Sequence, residues 1–515
     1  MKSRVFPCAV LLVLTVSARA ELKLPAIIGD EMVLQQQQAD PVWGWDTPGT
    51  KVTVEFAGQT KSAEAGADGR WTVKLDPMPA NANPQAMTIK GSTSRMLQNV
   101  LIGEVWMCSG QSNMQFALGG DWNGDLEALG ANLPGLRLVS VPQVGTQEPQ
   151  NDFKGQWRAC TPDNCRGFTA AGFFFGRHLH QVLGVPVGLI NNAWGGSAAE
   201  AWVKRSSLEQ DPRFKALMDR TVGQENALTS PEAKAKHEAA ISKWKEACEK
   251  AKAEGKPQPK APGSPGGWLN GNARPGNIFN GVLNPTLGYG IKGVIWYQGE
   301  SNAGRAWEYR ALFPFMIQQW RAEWKQGDFP FYWVQLADYM AEKPEPGDSA
   351  WAELREAQTL TLSLPKTGQA VIIDIGEGKD IHPRNKRDVG ARLARLALAK
   401  DYGIALPHLS PVCKNVRFEG NKALVTLDMY GSELRPFDVQ DAVGFAVCGA
   451  DKVWRNAKGR ITGKDSIEVT CDQVPNPVAV RYAWADNPVC NLFNKDGLPV
   501  TPFRSDDFDM VTKPK

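Results

Sequence analysis

Two stretches near the start of the chain alternate apolar and polar residues with a period of two. They are Lys51-Val52-Thr53-Val54-Glu55-Phe56 and Arg70-Trp71-Thr72-Val73-Lys74-Leu75, with the turn residues Ala67-Asp68-Gly69 before the second. Each predicts a half-buried strand, so residues 21 to about 100 are expected to form a small β-sandwich or jelly roll. From about 101 to 405 the pattern changes. Apolar runs at 101–108, 185–191, 294–298, 331–336 and 370–375 predict buried strands, and helical patterns at 173–183 and 307–324 fall between them. This alternation implies an α/β unit, a parallel sheet covered by helices. Residues about 206–268 interrupt it with a polar, helix-forming stretch at 231–253 and a Pro- and Gly-rich loop, which reads as a solvated helical insertion. Residues about 406–515 return to β-type patterns at 422–427 and 478–484.

The chemistry is expected where buried strands end. The run at 101–108 stops at Ser109-Gly110-Gln111-Ser112-Asn113-Met114. A hydroxyl at the carboxyl end of a buried strand lies where open α/β sheets place their chemistry. Met114 stands where the G-x-S-x-G elbow would have its last glycine, so this is not that elbow. The alternative reading of Ser112 alone is a helix N-cap. Two further strand ends carry side-chain amides or glycines: Trp296-Tyr297-Gln298-Gly299-Glu300-Ser301-Asn302-Ala303 and Asn191-Asn192-Ala193-Trp194-Gly195-Gly196-Ser197.

The chain has five histidines. His178 and His180 fall within a helical stretch, His237 in the charged insertion, and His408 behind Pro407 at a junction. Only His382, in Asp380-Ile381-His382-Pro383-Arg384-Asn385-Lys386, follows a buried strand through an irregular loop. Serine first, two amide-bearing turns between, Asp and His near the end: this order resembles the SGNH hydrolases. The three blocks resemble more closely the sialate O-acetylesterase-like carbohydrate esterases of that group. The resemblance extends to Met32-Val33-Leu34-Gln35, Pro41-Val42-Trp43-Gly44-Trp45 and Gly497-Leu498-Pro499-Val500-Thr501-Pro502-Phe503-Arg504, and so spans most of the chain.

The resemblance implies an SGNH-type parallel-sheet hydrolase domain at 101–405 with flanking β-sandwich regions at 21–100 and 406–515. It implies a serine esterase that removes O-acetyl groups from carbohydrates, with O-acetylated sialic acid as first substrate. An acetylated plant or bacterial polysaccharide such as xylan or xyloglucan is the rival, and a non-catalytic carbohydrate-binding protein the alternative from another class. Ser112 is the expected nucleophile and His382 its base. Asp380 is the expected orienting acid, although it stands two residues before the histidine where the group commonly has three. Asp374 is its rival, and orientation by a backbone carbonyl is the third option. The oxyanion donors implied are the Ser112 N–H, the Gly195 N–H and an amide. Ser301 stands where the group usually has asparagine, so Gln298 or Asn302 supplies the amide, with Gln298 preferred because it ends the strand. Asn302, Glu300, Trp194 and Arg384 are candidate substrate contacts. Trp122 and Trp307 could also line a sugar site, and Lys386 could join Arg384 in meeting a carboxylate.

Composition changes the picture in three places. Residues 1–20 carry Lys2 and Arg4, an apolar run and Ala18-Arg19-Ala20, which predicts a cleaved export signal and a secreted or periplasmic product. No later run predicts a membrane span. Losing Lys2, Arg4 and Arg19 takes the formal charge from +3 to zero, which argues against nucleic acid as a partner. The small-molecule or glycan substrate is what the resemblance implies. Removing Cys8 leaves eight cysteines without C-x-x-C or Cys/His spacing, so a structural metal is not expected. The resemblance implies no metal and no cofactor.

Overall fold

The spine of the molecule is one 17-residue strand, β1 (Ser94–Gly110), in a computed structural model that describes residues 21–514. It is longer than the apolar run because its two halves serve two sheets. Its first half pairs with Asn81–Lys90 and Val33–Gln35, and its second half lies at the centre of the parallel sheet. The strand therefore runs through residue 100, where a domain boundary was expected. The proposed export signal lies outside the described residues.

The parallel sheet adds β2 (Leu133–Ser140), β3 (Val187–Asn191), β4 (Gly293–Tyr297), β5 (Phe331–Gln335) and β6 (Thr367–Val371), in the order β6-β5-β4-β1-β3-β2. Alternate residues of β1 point to opposite faces, as the pleat requires. Val105 and Met107 join a core covered by helices α2 (Ala306–Trp324) and α3 (Ala350–Leu360). Trp106 and Cys108 join another core, under α1 (Ala170–Leu183) and α4 (Lys386–Tyr402). Both faces are covered, so the strands read as unbroken apolar runs in the sequence.

The N-terminal strands Lys51–Phe56 and Arg70–Leu75 form where period two predicted them. The interruption at 206–268 contains two successive helices, Lys215–Thr229 and Pro231–Ala253. The C-terminal region is a seven-stranded antiparallel sheet, and its core takes in Val371 and Ile373 from the end of β6 and just beyond. The molecule is thus mixed α/β with a separate antiparallel β unit packed on one edge. Among the described residues no helix is long and apolar enough to cross a membrane, and the eight cysteines are free thiols.

Candidate active site

β1 is flanked by β3 on one side and β4 on the other, so the chain changes direction at its carboxyl end. That is the position where an open parallel sheet leaves a crevice. Gly110 ends β1 with φ +133, and a Cβ there would meet the Tyr297 carbonyl at 2.2 Å. Only glycine lets the strand turn that tightly against β4. The next residues form one helical turn, Ser112–Gln115, with Gln111 in the N-cap position. Ser112 is therefore not a cap. Its Oγ lies 2.8 Å from His382 Nε2.

The loop after β6 brings the histidine there from 270 residues away. Asp380 Oδ1 accepts the His382 backbone N–H at 2.9 Å and lies 3.5 Å from His382 Nδ1. The two-residue spacing closes because this one oxygen serves both, through a tight turn. Asp374 is turned elsewhere: both its oxygens are held by Arg392 at 2.6 Å. Asn113, directly after the serine, ties the two segments together. Its Nδ2 donates to the Ile381 carbonyl at 2.9 Å and to Glu300 Oε1 at 2.7 Å.

The loop after β3 supplies the third wall. A Cβ on Gly195 would lie 3.4 Å from the Ser112 Cβ, so this backbone borders the serine directly. The Gly195 N–H donates to Gln115 Oε1 at 2.7 Å, and the Gly195 carbonyl accepts from Asn272 Nδ2. Within the helical turn the Met114 and Gln115 N–H groups go to the Gln111 carbonyl, which leaves the Ser112 N–H without an acceptor inside it.

Several expected contacts are corrected. Gln298 does not face the serine. It is fully buried, its Nε2 donates to the Ser197 carbonyl at 3.1 Å and to Asn302 Oδ1 at 2.7 Å, and its Oε1 accepts from Tyr309. Both amide hydrogens are used, so it braces the loop after β3 and has none for an oxyanion. Asn302 is likewise buried, held by Glu200, Ala199 and Gln298. The Glu300 carboxylate is withdrawn beneath Asn113 although part of the residue reaches the surface, and burial raises its pKa. Lys386 is buried too, over the rings of Phe116 and Tyr297, with its Nζ on the Pro383 carbonyl. Burial pushes its pKa down to about 8, against the pull of Glu300 and Asp121. Trp307 lies between Arg310 and Lys513, under the C-terminal tail. By contrast Trp194 is half-buried, Trp122 is 52% exposed, and the Trp122 N–H donates to the Arg384 carbonyl. Arg384 is exposed, with Nε on the Gly120 carbonyl.

The family model described as a carbohydrate esterase, sialic acid-specific acetylesterase, matches residues 273–399. The mouse sialate O-acetylesterase is 30% identical, over 97% of this chain and 97% of its own. The human sialate O-acetylesterase is 28% identical, over 95% of this chain and 93% of its own. The crystal structure of a carbohydrate acetylesterase from Xanthomonas citri superposes with TM-score 0.80 at 38% identity, over 95% of this chain and all of that one. The chain belongs to the sialate O-acetylesterase family. It is an esterase.

Three polar residues of this esterase were not marked by sequence reasoning. Asn113 had a signal, its place directly behind the serine. Gln115 had a weaker one, since a helical turn returns it toward the loop after β3. Asn272 had none: it follows the helical insertion, and only folding brings its amide to the Gly195 carbonyl.

Proposed function

We propose that this protein is a secreted SGNH-type serine esterase that removes O-acetyl groups from carbohydrates. The unit limits 21–100, 101–405 and 406–515 belong to the same reading. The observation that carries it is the 2.8 Å contact between Ser112 Oγ and His382 Nε2 at the end of β1. At that distance His382 takes the Ser112 proton while Oγ attacks the acetyl carbonyl carbon. The charge on the carbonyl oxygen falls to the N–H groups of Ser112 and Gly195. The Gln115 amide oxygen sits on the Gly195 N–H where that oxygen has to bind. It belongs to an exposed side chain and moves aside at little cost. His382 then returns the proton to the sugar oxygen as its bond to the acetyl carbon breaks. Water repeats the sequence on the acetyl-serine and releases acetate. Asp380, beside Nδ1, holds the ring in place.

O-acetylated sialic acid is the substrate proposed first, on the strength of the family. A sialic acid carries a carboxylate. Of the basic side chains that follow His382, Lys386 is buried and Arg387 is paired with Glu127, whereas Arg384 is exposed and its guanidinium pairs with no carboxylate side chain among the described residues. A charge-assisted Arg–carboxylate contact is worth roughly 1.5–3 kcal/mol, about tenfold to a hundredfold. Arg384→Ala is therefore expected to raise KM for acetylated sialic acid and to leave a small neutral acetate ester unchanged. Equal loss on both would mean that Arg384 holds its loop against Gly120. The burial of Lys386 favours the second reading, an acetylated neutral polysaccharide. Acetate release from acetylated sialic acid, xylan and xyloglucan decides between them. An enzyme that ignores the first and deacetylates the others overturns the sialate reading and keeps the esterase. For secretion, mass spectrometry of the protein exported by its own host is expected to find Glu21 at the N-terminus. An unprocessed Met1 would overturn it.

A further inference from the structure

A cleft of about 860 Å³ lies away from Ser112. It lies between residues 342–347, from the loop after β5, and the face of the antiparallel sheet formed by Ala442–Cys448, Arg455–Ile461 and Ala479–Tyr482. Asn456 Nδ2 ties the two walls together through the Pro344 carbonyl at 2.7 Å.

Two tryptophans and an arginine distinguish this cleft. Arg481 lies over Trp454 at 4.0 Å and over Trp484 at 5.1 Å, and all three line it. The Arg481 side chain is only 6% exposed. Its Nε and Nη2 hold Asp506 at 2.8 and 2.9 Å, while Nη1 is buried and has no partner. A buried unpaired donor is costly and uncommon. This one belongs to a guanidinium that lies over two indole rings, all three residues lining the cleft. Acidic and basic side chains occur in equal number along the walls, and among them Arg460 pairs with Glu468. The cleft has no net preference for an anion or a cation. Aromatic faces, one orphan donor and balanced charge suit a neutral sugar, whose C–H face stacks on an indole while its hydroxyls accept and donate at the rim.

The cleft also adjoins the histidine loop. A Cβ on Gly378 would meet Asn487 Nδ2 at 2.8 Å, and Asn487 lines the cleft. Gly378 stands four residues before His382, a span of at most about 14 Å. A chain of a few sugars bridges the two places.

We propose that this cleft binds a neutral stretch of the glycan whose acetyl ester is cleaved at Ser112. This rests on the glycan esterase reading above, but its test does not. The probes are deacetylated xyloglucan and deacetylated xylan, each cast into a native gel. Wild-type protein and Ser112→Ala are both expected to be retarded by at least one polymer. Trp454→Ala, at a half-exposed position, is expected to lose roughly tenfold or more in affinity, as when an aromatic anchor is truncated. It is expected to keep wild-type melting and wild-type kcat/KM on a small acetate ester. No retardation by either polymer, or retardation of Trp454→Ala equal to wild type, overturns the proposal. A Ser112→Ala protein that binds the polymer and still releases acetate would sink the catalytic reading and leave the cleft intact.

Discussion

Ser112→Ala is expected to lose on the order of 10³-fold or more in acetate release, as for loss of a nucleophile that acts with its base. The hydroxyl is held by His382 Nε2 and caps no helix, since Gln111 holds that position. Its removal therefore costs about 1 kcal/mol of stability or less, the net worth of one part-buried hydrogen bond. An assay of acetate release and a thermal melt on the same preparation separate the two effects. The expected result is a dead enzyme with an unchanged melt. A variant that keeps more than about a tenth of wild-type activity would show that the chemistry does not pass through this oxygen.

The strands that carry the site were legible because the sheet is covered on both faces. The run that ends at Cys108 and the run that contains Val294, Ile295 and Trp296 have no polar alternation to confuse them. The ends of those strands were harder to read. Gln298 follows the last residue of β4, and the assumption that it faces the crevice failed because a buried carbonyl, an asparagine and a tyrosine compete for it. Its neighbour Asn302 was lost to the same network. Lys386 shows the opposite error. A lysine beside the histidine reads as solvated, yet it opens α4 and is drawn beneath Phe116 and Tyr297. Such outcomes depend on groups far away in sequence, which no local pattern contains. His382 was singled out despite this distance because its rivals were few, its loop follows a buried strand and it stands in the order of the motif; its Nε2 lies 2.8 Å from Ser112 Oγ.

The histidine gives the second large effect. His382→Ala is expected to be as damaging as Ser112→Ala, about 10³-fold or more, and the double variant little worse, because base and nucleophile act as one unit. The acid is a smaller matter here. Asp380 is 55% exposed and 3.5 Å from His382 Nδ1. At that distance two unit charges attract by about 1 kcal/mol in water and about 5 kcal/mol at an effective dielectric of 20, and exposure places this pair toward the lower limit. Asp380→Asn is then expected to reduce kcat roughly tenfold to a hundredfold, well short of the loss at His382. Asp374→Asn is expected to act on stability instead. It breaks the paired contact to Arg392, whose side chain is 10% exposed, and removing one partner of a largely buried ion pair costs up to about 3 kcal/mol. Its kcat should stay near wild type at a temperature where it remains folded. Steady-state kinetics and melts of the two variants, side by side, make the test. A large kcat loss at Asp374 with little at Asp380 would move the orienting role to Asp374. Small losses at both would leave a Ser112–His382 dyad, with the ring held by the loop itself through Asn113 and the Ile381 carbonyl.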